Sequence, residues 1–274
     1  MFQNLWYQIG RSLINVYVRN ILRADIRQDG KLPQGAKIIA ANHPSTNDPA
    51  FVTALTNEQT TILIKDTLFK VPVFGRSLRM SGHVPVIAGN GRAALEEGIR
   101  LLKAGRTVII FPEGEISPEN GFNRPHTGVA RLALATGAPV IPVGISLNHN
   151  RIRRVHTQVE GKAETGCWYL RGPYAMTIGD PITFHGSAEN HEQVRTVTGQ
   201  IMQSIASLHR LSSQRLATDR TPRLGTSSPK AALHVAWKGT TLSAQQYLRV
   251  FSHTGVFATV EMVWGMLRSF ARNI

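Results

Sequence analysis

Residues 36–48 read AKIIAANHPSTND, and the fold class turns on how that run is divided. Ala36–Ala41 is a short, nearly continuous apolar run. That length suits a strand covered on both faces better than a helix. Asn42 to Asp48 then leaves it as a polar loop. Asp48 followed by Pro49 has the form of a helix start, with a capping carboxylate and a proline at the first helical position. Pro49–Leu55 therefore reads as a short helix, and the whole run as strand, loop, helix.

The same unit repeats outward from there. Thr60–Ile64 reads as a second strand, and His83–Ile87 as a short one weakened by Pro85. Arg92–Lys103 carries Leu95, Ile99 and Leu102 on one helical face, with Gly105 just past its end. Thr107–Phe111 (TVIIF) is the clearest strand. His126–Thr136 reads as a helix closed by Gly137, Pro139–Leu147 and Tyr174–Ile178 as strands, and Ala188–Leu211 as a closing helix. Strands alternating with helices predict an α/β domain: a central mixed, mostly parallel sheet flanked by helices.

Both ends read as amphipathic. Phe2–Ile26 places Phe2, Leu5, Trp6, Ile9, Leu13, Val16 and Tyr17 at helical spacing among arginines, a pattern that suits a membrane interface or a helix packed on the domain. Ser212–Lys230 has the Ser, Thr, Pro and Gly content of a linker. Ala231–Ile274 again gathers Val256, Phe257, Val260, Trp264 and Leu267 on one face. The expected division is 1–30, an amphipathic helix; 31–211, the main domain; and 212–274, a linker with an amphipathic extension.

Composition narrows the partners. Of the 274 residues, 31 are Lys or Arg and 17 are Asp or Glu, a formal charge of +14, so anionic partners are favoured. Arg151, Arg153 and Arg154 form the tightest cluster but lack the interleaved aromatics of a single-strand platform, which argues against nucleic acid. Cys167 is the only cysteine, so no internal disulfide and no thiolate metal cage can form, as suits a reducing compartment. No run approaches the roughly 20 apolar residues that cross a bilayer as a helix. The expectation is peripheral attachment, from the cytoplasmic face, to an anionic membrane surface.

Two loops carry candidate chemistry. A five-residue step from His43 to Asp48, at a strand's carboxyl end, lets the carboxylate reach one imidazole nitrogen. The other nitrogen is then left to act as a general base. Phe111-Pro112-Glu113-Gly114-Glu115-Ile116-Ser117 follows the strongest strand, and its glycine permits close backbone approach. Other chemistries lack their signatures. There is no G-x-S-x-G elbow, no P-loop, no G-x-G-x-x-G and no zinc-ligand histidine spacing.

In combination, H-x-x-x-x-D after one strand and F-P-E-G after a later one resemble the glycerolipid acyltransferase family, which includes lysophosphatidic acid acyltransferases. The order continues. Lys65–Gly82, with Pro72 and Gly75, is similar to that family's second block, Val140–Gly144 to its fourth, and Gly179-Asp180-Pro181-Ile182 to its late turn. The likeness spans roughly Leu32 to Arg210.

The resemblance implies an O-acyltransferase that uses acyl-CoA or acyl carrier protein, acts on a lipid acceptor and needs no cofactor. His43 would be the base and Asp48 its partner. Asn42, Lys65, Glu113 and Gly114 would line the substrate site. The family's usual third block has Thr-Arg where Glu115 and Ile116 stand, and its second block ends in an arginine where Val86–Gly89 stands. Arg76, Arg79, Arg92 or Arg124 would have to replace those phosphate-binding arginines. Two other functions fit the same residues: a catalytically altered membrane-binding protein, and a thioesterase.

Overall fold

The computed structural model describes residues 2–28, 30–70, 74–159, 162–218 and 233–235. At its centre is β2 (Lys37–Ala41), buried at every residue. Its side chains alternate between two separate cores. Ile39 and Ala41 face one, with Phe51, Ile109, Ile141 and Met176. Ile38 and Ala40 face the other, with Leu102, Val108, Leu132, Val197 and Ile201. A strand buried on both faces needs apolar residues at consecutive positions, which is why this one reads as a run and not as an alternation.

Around β2 lie β1 (Asp25–Gln28), β3 (Thr60–Lys65), β4 (Val84–Val86), β5 (Thr107–Ile110), β6 (Val140–Leu147) and β9 (Tyr174–Ile178), in the sheet order β1-β9-β6-β2-β5-β3-β4. From β6 to β4 every neighbouring pair is parallel. β9 runs antiparallel to β6, and β1 is parallel to β9. The expected mixed, mostly parallel sheet is present. Its five parallel strands deliver their carboxyl ends, and the loops that follow, to one edge. Pro85 sits in β4, an edge strand, where a missing N–H is tolerated.

The helices α4 (Gly91–Lys103), α5 (Gly128–Thr136) and α6 (His191–Thr218) cover the second core. On the other face lie α1 (Phe2–Val16), a π-helical turn at Tyr17–Ile21 and α2 (Asp48–Val52), while α3 (Phe74–Met80) follows β3. A hairpin, β7 (Arg153–Val159) and β8 (Lys162–Trp168), forms a small sheet with β10 (Leu233–Val235). α6 comes unusually close to β6. A Cβ built on Gly144 would lie 2.0 Å from the His209 backbone nitrogen, so only glycine fits there. The Val140–Gly144 block is buried throughout and serves packing.

Three expectations change. The N-terminal helix does not reach Ile26. It ends at Val16, passes through the π turn, and gives way to β1 at Asp25, because β9 offers an open edge there. Its Tyr7 hydroxyl pairs with Thr60 Oγ1 at 2.9 Å and Arg11 donates to Thr56 O at 3.0 Å, so the helix is docked on the domain; Ile9 and Val16 remain exposed. The predicted linker does not begin at Ser212, since α6 continues to Thr218. Ser212 is buried and donates to Gly144 O at 2.8 Å, and Arg215 binds Asp25 at 2.7 Å and Met176 O at 3.0 Å. α5 starts at Gly128, not His126, because the His126 N–H turns back to Pro112 O at 2.8 Å. The predicted C-terminal amphipathic stretch lies outside the described residues, apart from β10.

Candidate active site

Asp48 is fully enclosed and accepts from several donors. Ser45 N–H donates to Oδ2 at 2.6 Å, Ser45 Oγ–H to Oδ1 at 2.6 Å, and Tyr174 Oη–H to Oδ1 at 2.8 Å. His43 Nδ1 stands 3.3 Å from Oδ2. A carboxylate only accepts, so in the neutral imidazole this contact places the proton on Nδ1 and the lone pair on Nε2. The imidazole lies against the Phe111 ring, centroids 4.5 Å apart, and its side chain is 16% exposed. Among the described residues, Nε2 has no hydrogen-bond partner.

The loop after β5 grips the same histidine from behind. His43 N–H donates to Ser117 Oγ at 2.9 Å, and Ser117 N–H donates to His43 O at 2.8 Å. Ser117 Oγ–H donates to Glu113 Oε1 at 2.5 Å, while Asn123 N–H donates to Oε2 at 2.7 Å. Glu113 is buried; its two oxygens brace the loop after β5 against itself, and Oε1 also accepts from His43 N–H at 3.4 Å, which joins the two loops. Gly114 has a φ of 70°, and a Cβ there would meet the His126 ring at 2.9 Å. Both conditions restrict the position to glycine.

From the far side, the His43–Asp48 loop is tied to the end of β8. Thr46 N–H donates to Cys167 O, Cys167 N–H to Thr46 Oγ1 and Tyr169 N–H to Asn47 Oδ1, each at 2.8 Å. Three walls therefore fix the backbone that carries the His–Asp pair. One imidazole nitrogen remains open.

Comparison with known proteins gives a likeness of sequence and fold. A family model described as Acyltransferase matches residues 23–146. Residues 23–146 are thus similar to that acyltransferase family. The 1-acyl-sn-glycerol-3-phosphate acyltransferase of Pseudomonas aeruginosa is 28% identical over 126 residues, covering 44% of this chain and 49% of that protein. The Escherichia coli protein of the same name is 30% identical over 128 residues, covering 44% and 52%. The chain thus spans about half the length of these curated relatives. The crystal structure of the 1-acyl-sn-glycerophosphate (LPA) acyltransferase PlsC from Thermotoga maritima matches with a TM-score of 0.54 at 22% identity, over 80% of this chain and 81% of that one. That match supports the shared fold.

The other predicted site residues divide. Asn42 is buried, donating from Nδ2 to Ile145 O at 2.9 Å and accepting from Ile145 N–H at 2.7 Å. It splices β2 to β6 and is not available to a substrate, a correction to its expected role. Its place at the mouth of the loop made it look accessible; burial removes it.

Lys65, at the end of β3, is exposed, as are Arg76 on α3 and Arg124 in the loop after β5. Arg92 is exposed in the first turn of α4 and pairs with Glu96 at 2.8 Å. Where the family's third block usually has Thr-Arg, Glu115 is exposed and Ile116 packs against the first core. Among the described residues, no group of three or more His, Cys, Asp or Glu side chains could hold a metal ion.

Sequence reading missed Tyr174, Ser45 and Ser117. The two serines stand inside the quoted motifs and could have been weighed as loop donors. Tyr174 lies 126 residues beyond Asp48, and nothing local signals it.

Proposed function

We propose that this chain moves an acyl group from a thioester donor, acyl-CoA or acyl carrier protein, to the hydroxyl of a glycerolipid acceptor such as a lysophospholipid. The observation that carries the reading is a partly exposed imidazole whose Nδ1 is turned to a buried carboxylate and whose Nε2 is open.

The chemistry is short. Nε2 removes the acceptor hydroxyl's proton as the oxygen attacks the thioester carbonyl. The tetrahedral intermediate expels the carrier thiolate, which takes the proton back from the imidazolium. Asp48 holds the imidazole's tautomer and balances its transient charge. A thioester is already electrophilic, so no enzyme-bound nucleophile is needed. Glu115 disfavours a phosphate beside it, so a neutral monoacylglycerol belongs in the acceptor panel next to 1-acylglycerol-3-phosphate.

The test is product analysis by mass spectrometry with acyl-CoA or acyl carrier protein and that panel. His43→Ala should lower kcat/KM by about 10²–10⁴ with an unchanged circular dichroism spectrum. Turnover within twofold of native would refute the base. Carrier release without acylated acceptor would point to the thioesterase.

Peripheral binding to an anionic membrane, from the cytoplasmic face, is part of the same proposal. No helix among the described residues is long and apolar enough to cross a bilayer. The charge of +14, with Ile9 and Val16 exposed on α1, supports surface attachment. Flotation with anionic vesicles at low salt should recover the protein, and with neutral vesicles much less. Equal recovery would remove the electrostatic part.

A further inference from the structure

The two oxygens of Asp48 have different tasks. Oδ2 accepts from Ser45 N–H and faces His43 at 3.3 Å. Oδ1 accepts from Ser45 Oγ–H and from Tyr174 Oη–H. The His43 contact is long for an N–H···O bond, so its strength depends steeply on how the carboxylate is turned. That turn is set by Ser45 N–H on Oδ2 together with the pair of donors on Oδ1, and one of these, Tyr174, belongs to no motif.

Tyr174 is well fixed for the task. It opens β9 opposite Leu147, at the carboxyl end of β6 and hence on the catalytic edge of the sheet. Its ring is fully buried, edge-on to Phe51 at 5.4 Å and beside Tyr169 at 5.8 Å. Phe51 in turn stacks on Tyr17 at 5.7 Å. Burial, and next the Asp48 charge, push the Tyr174 phenol well above its ordinary range, so it remains a donor at any physiological pH.

We propose that Tyr174 is a positioning residue for His43. With Ser45 it locks the Asp48 carboxylate through Oδ1, so that Oδ2 keeps the Nδ1 proton in place and Nε2 stays the base. This rests on the reading of His43 as the general base.

Tyr174→Phe keeps the ring contacts and removes the hydroxyl. The expected result is a kcat lowered about 10- to 100-fold with KM values within about twofold, as for an interaction felt mainly in the transition state. In the resting protein, the ¹⁵N resonances of His43 should move from the Nδ1–H tautomer toward a mixture. An unchanged kcat overturns the proposal. So does a lowered kcat with an unchanged nitrogen pattern, because a merely structural role would give that. Should this variant fail to fold, Ser45→Ala removes the other side-chain donor to the same oxygen and must produce the same two changes; if it leaves either unaltered, the proposal falls. If the native protein transfers no acyl group, the proposed function fails while the nitrogen spectra still decide whether Tyr174 sets the tautomer.

Discussion

β2 carries a buried charge network at each end, and the two ends are built to opposite purposes. At its start Lys37 is completely enclosed, donating to Glu58 Oε2 at 2.5 Å and to Gly35 O at 3.0 Å. Thr107 Oγ–H and Gly35 N–H complete the shell of Glu58 at 3.1 Å each. Past its end, Asp48 is enclosed just as fully, yet the histidine that it faces keeps one nitrogen without a partner among the described residues. A closed network holds strands together. A network that is closed except at one basic atom holds that atom ready. Burial and charge alone do not distinguish the two, whereas the tally of satisfied atoms does.

The difference predicts which substitutions harm rate and which harm stability. Asp48→Asn should be the largest effect, a fall in kcat of about 10³-fold, because an amide can present N–H to Nδ1 and favour the wrong tautomer. Steady-state kinetics beside a thermal melt would check it; a tenfold loss or less would mean that His43 is oriented without the carboxylate.

Lys37→Met should do the reverse. It breaks a buried ion pair, but Glu58 is partly solvated and keeps two donors, so the expected cost is about 1–3 kcal/mol of stability. kcat should stay within threefold. Urea unfolding and kinetics on the same preparation would show whether the ends are separable.

The smallest effect is in pH dependence. Burial raises the Glu58 carboxyl, but hydrogen bonds from Lys37, Gly35 and Thr107 outweigh it and hold the group below its usual value of 4.5. A depressed folded-state value means stability that is fully present above about pH 4.5 and lost as pH falls through the lower folded value. The native melting temperature should therefore drop more steeply below pH 4.5 than that of Glu58→Gln. Parallel curves would show that Glu58 adds no such linkage.

Much of this was legible because burial leaves a plain mark. After Lys37 and Thr107, β2 and β5 are consecutive apolar residues, and the His43–Asp48 loop sits between a strand and a Pro49 helix start. What was hidden lacks that mark. β1 is an edge strand reading Asp25-Ile26-Arg27-Gln28, exposed at its end, with one aliphatic residue. β7 opens on two arginines and, among the described residues, pairs with β8 and β10, outside the main sheet. The end of α6 looks like a linker because Ser212 and Arg215 are polar, yet their polar atoms bind the sheet. Half of the site was visible as motif. The rest is contact between distant segments, Tyr174 with Asp48 and Cys167 with Thr46, and no local pattern encodes it.

Those last bonds give the β7–β8 hairpin a mechanical role. Cys167 and Thr46 each donate to the other and Tyr169 donates to Asn47, so three hydrogen bonds join the end of the hairpin to the His43–Asp48 loop. A displacement that left these three bonds intact would take the His43–Asp48 loop with it.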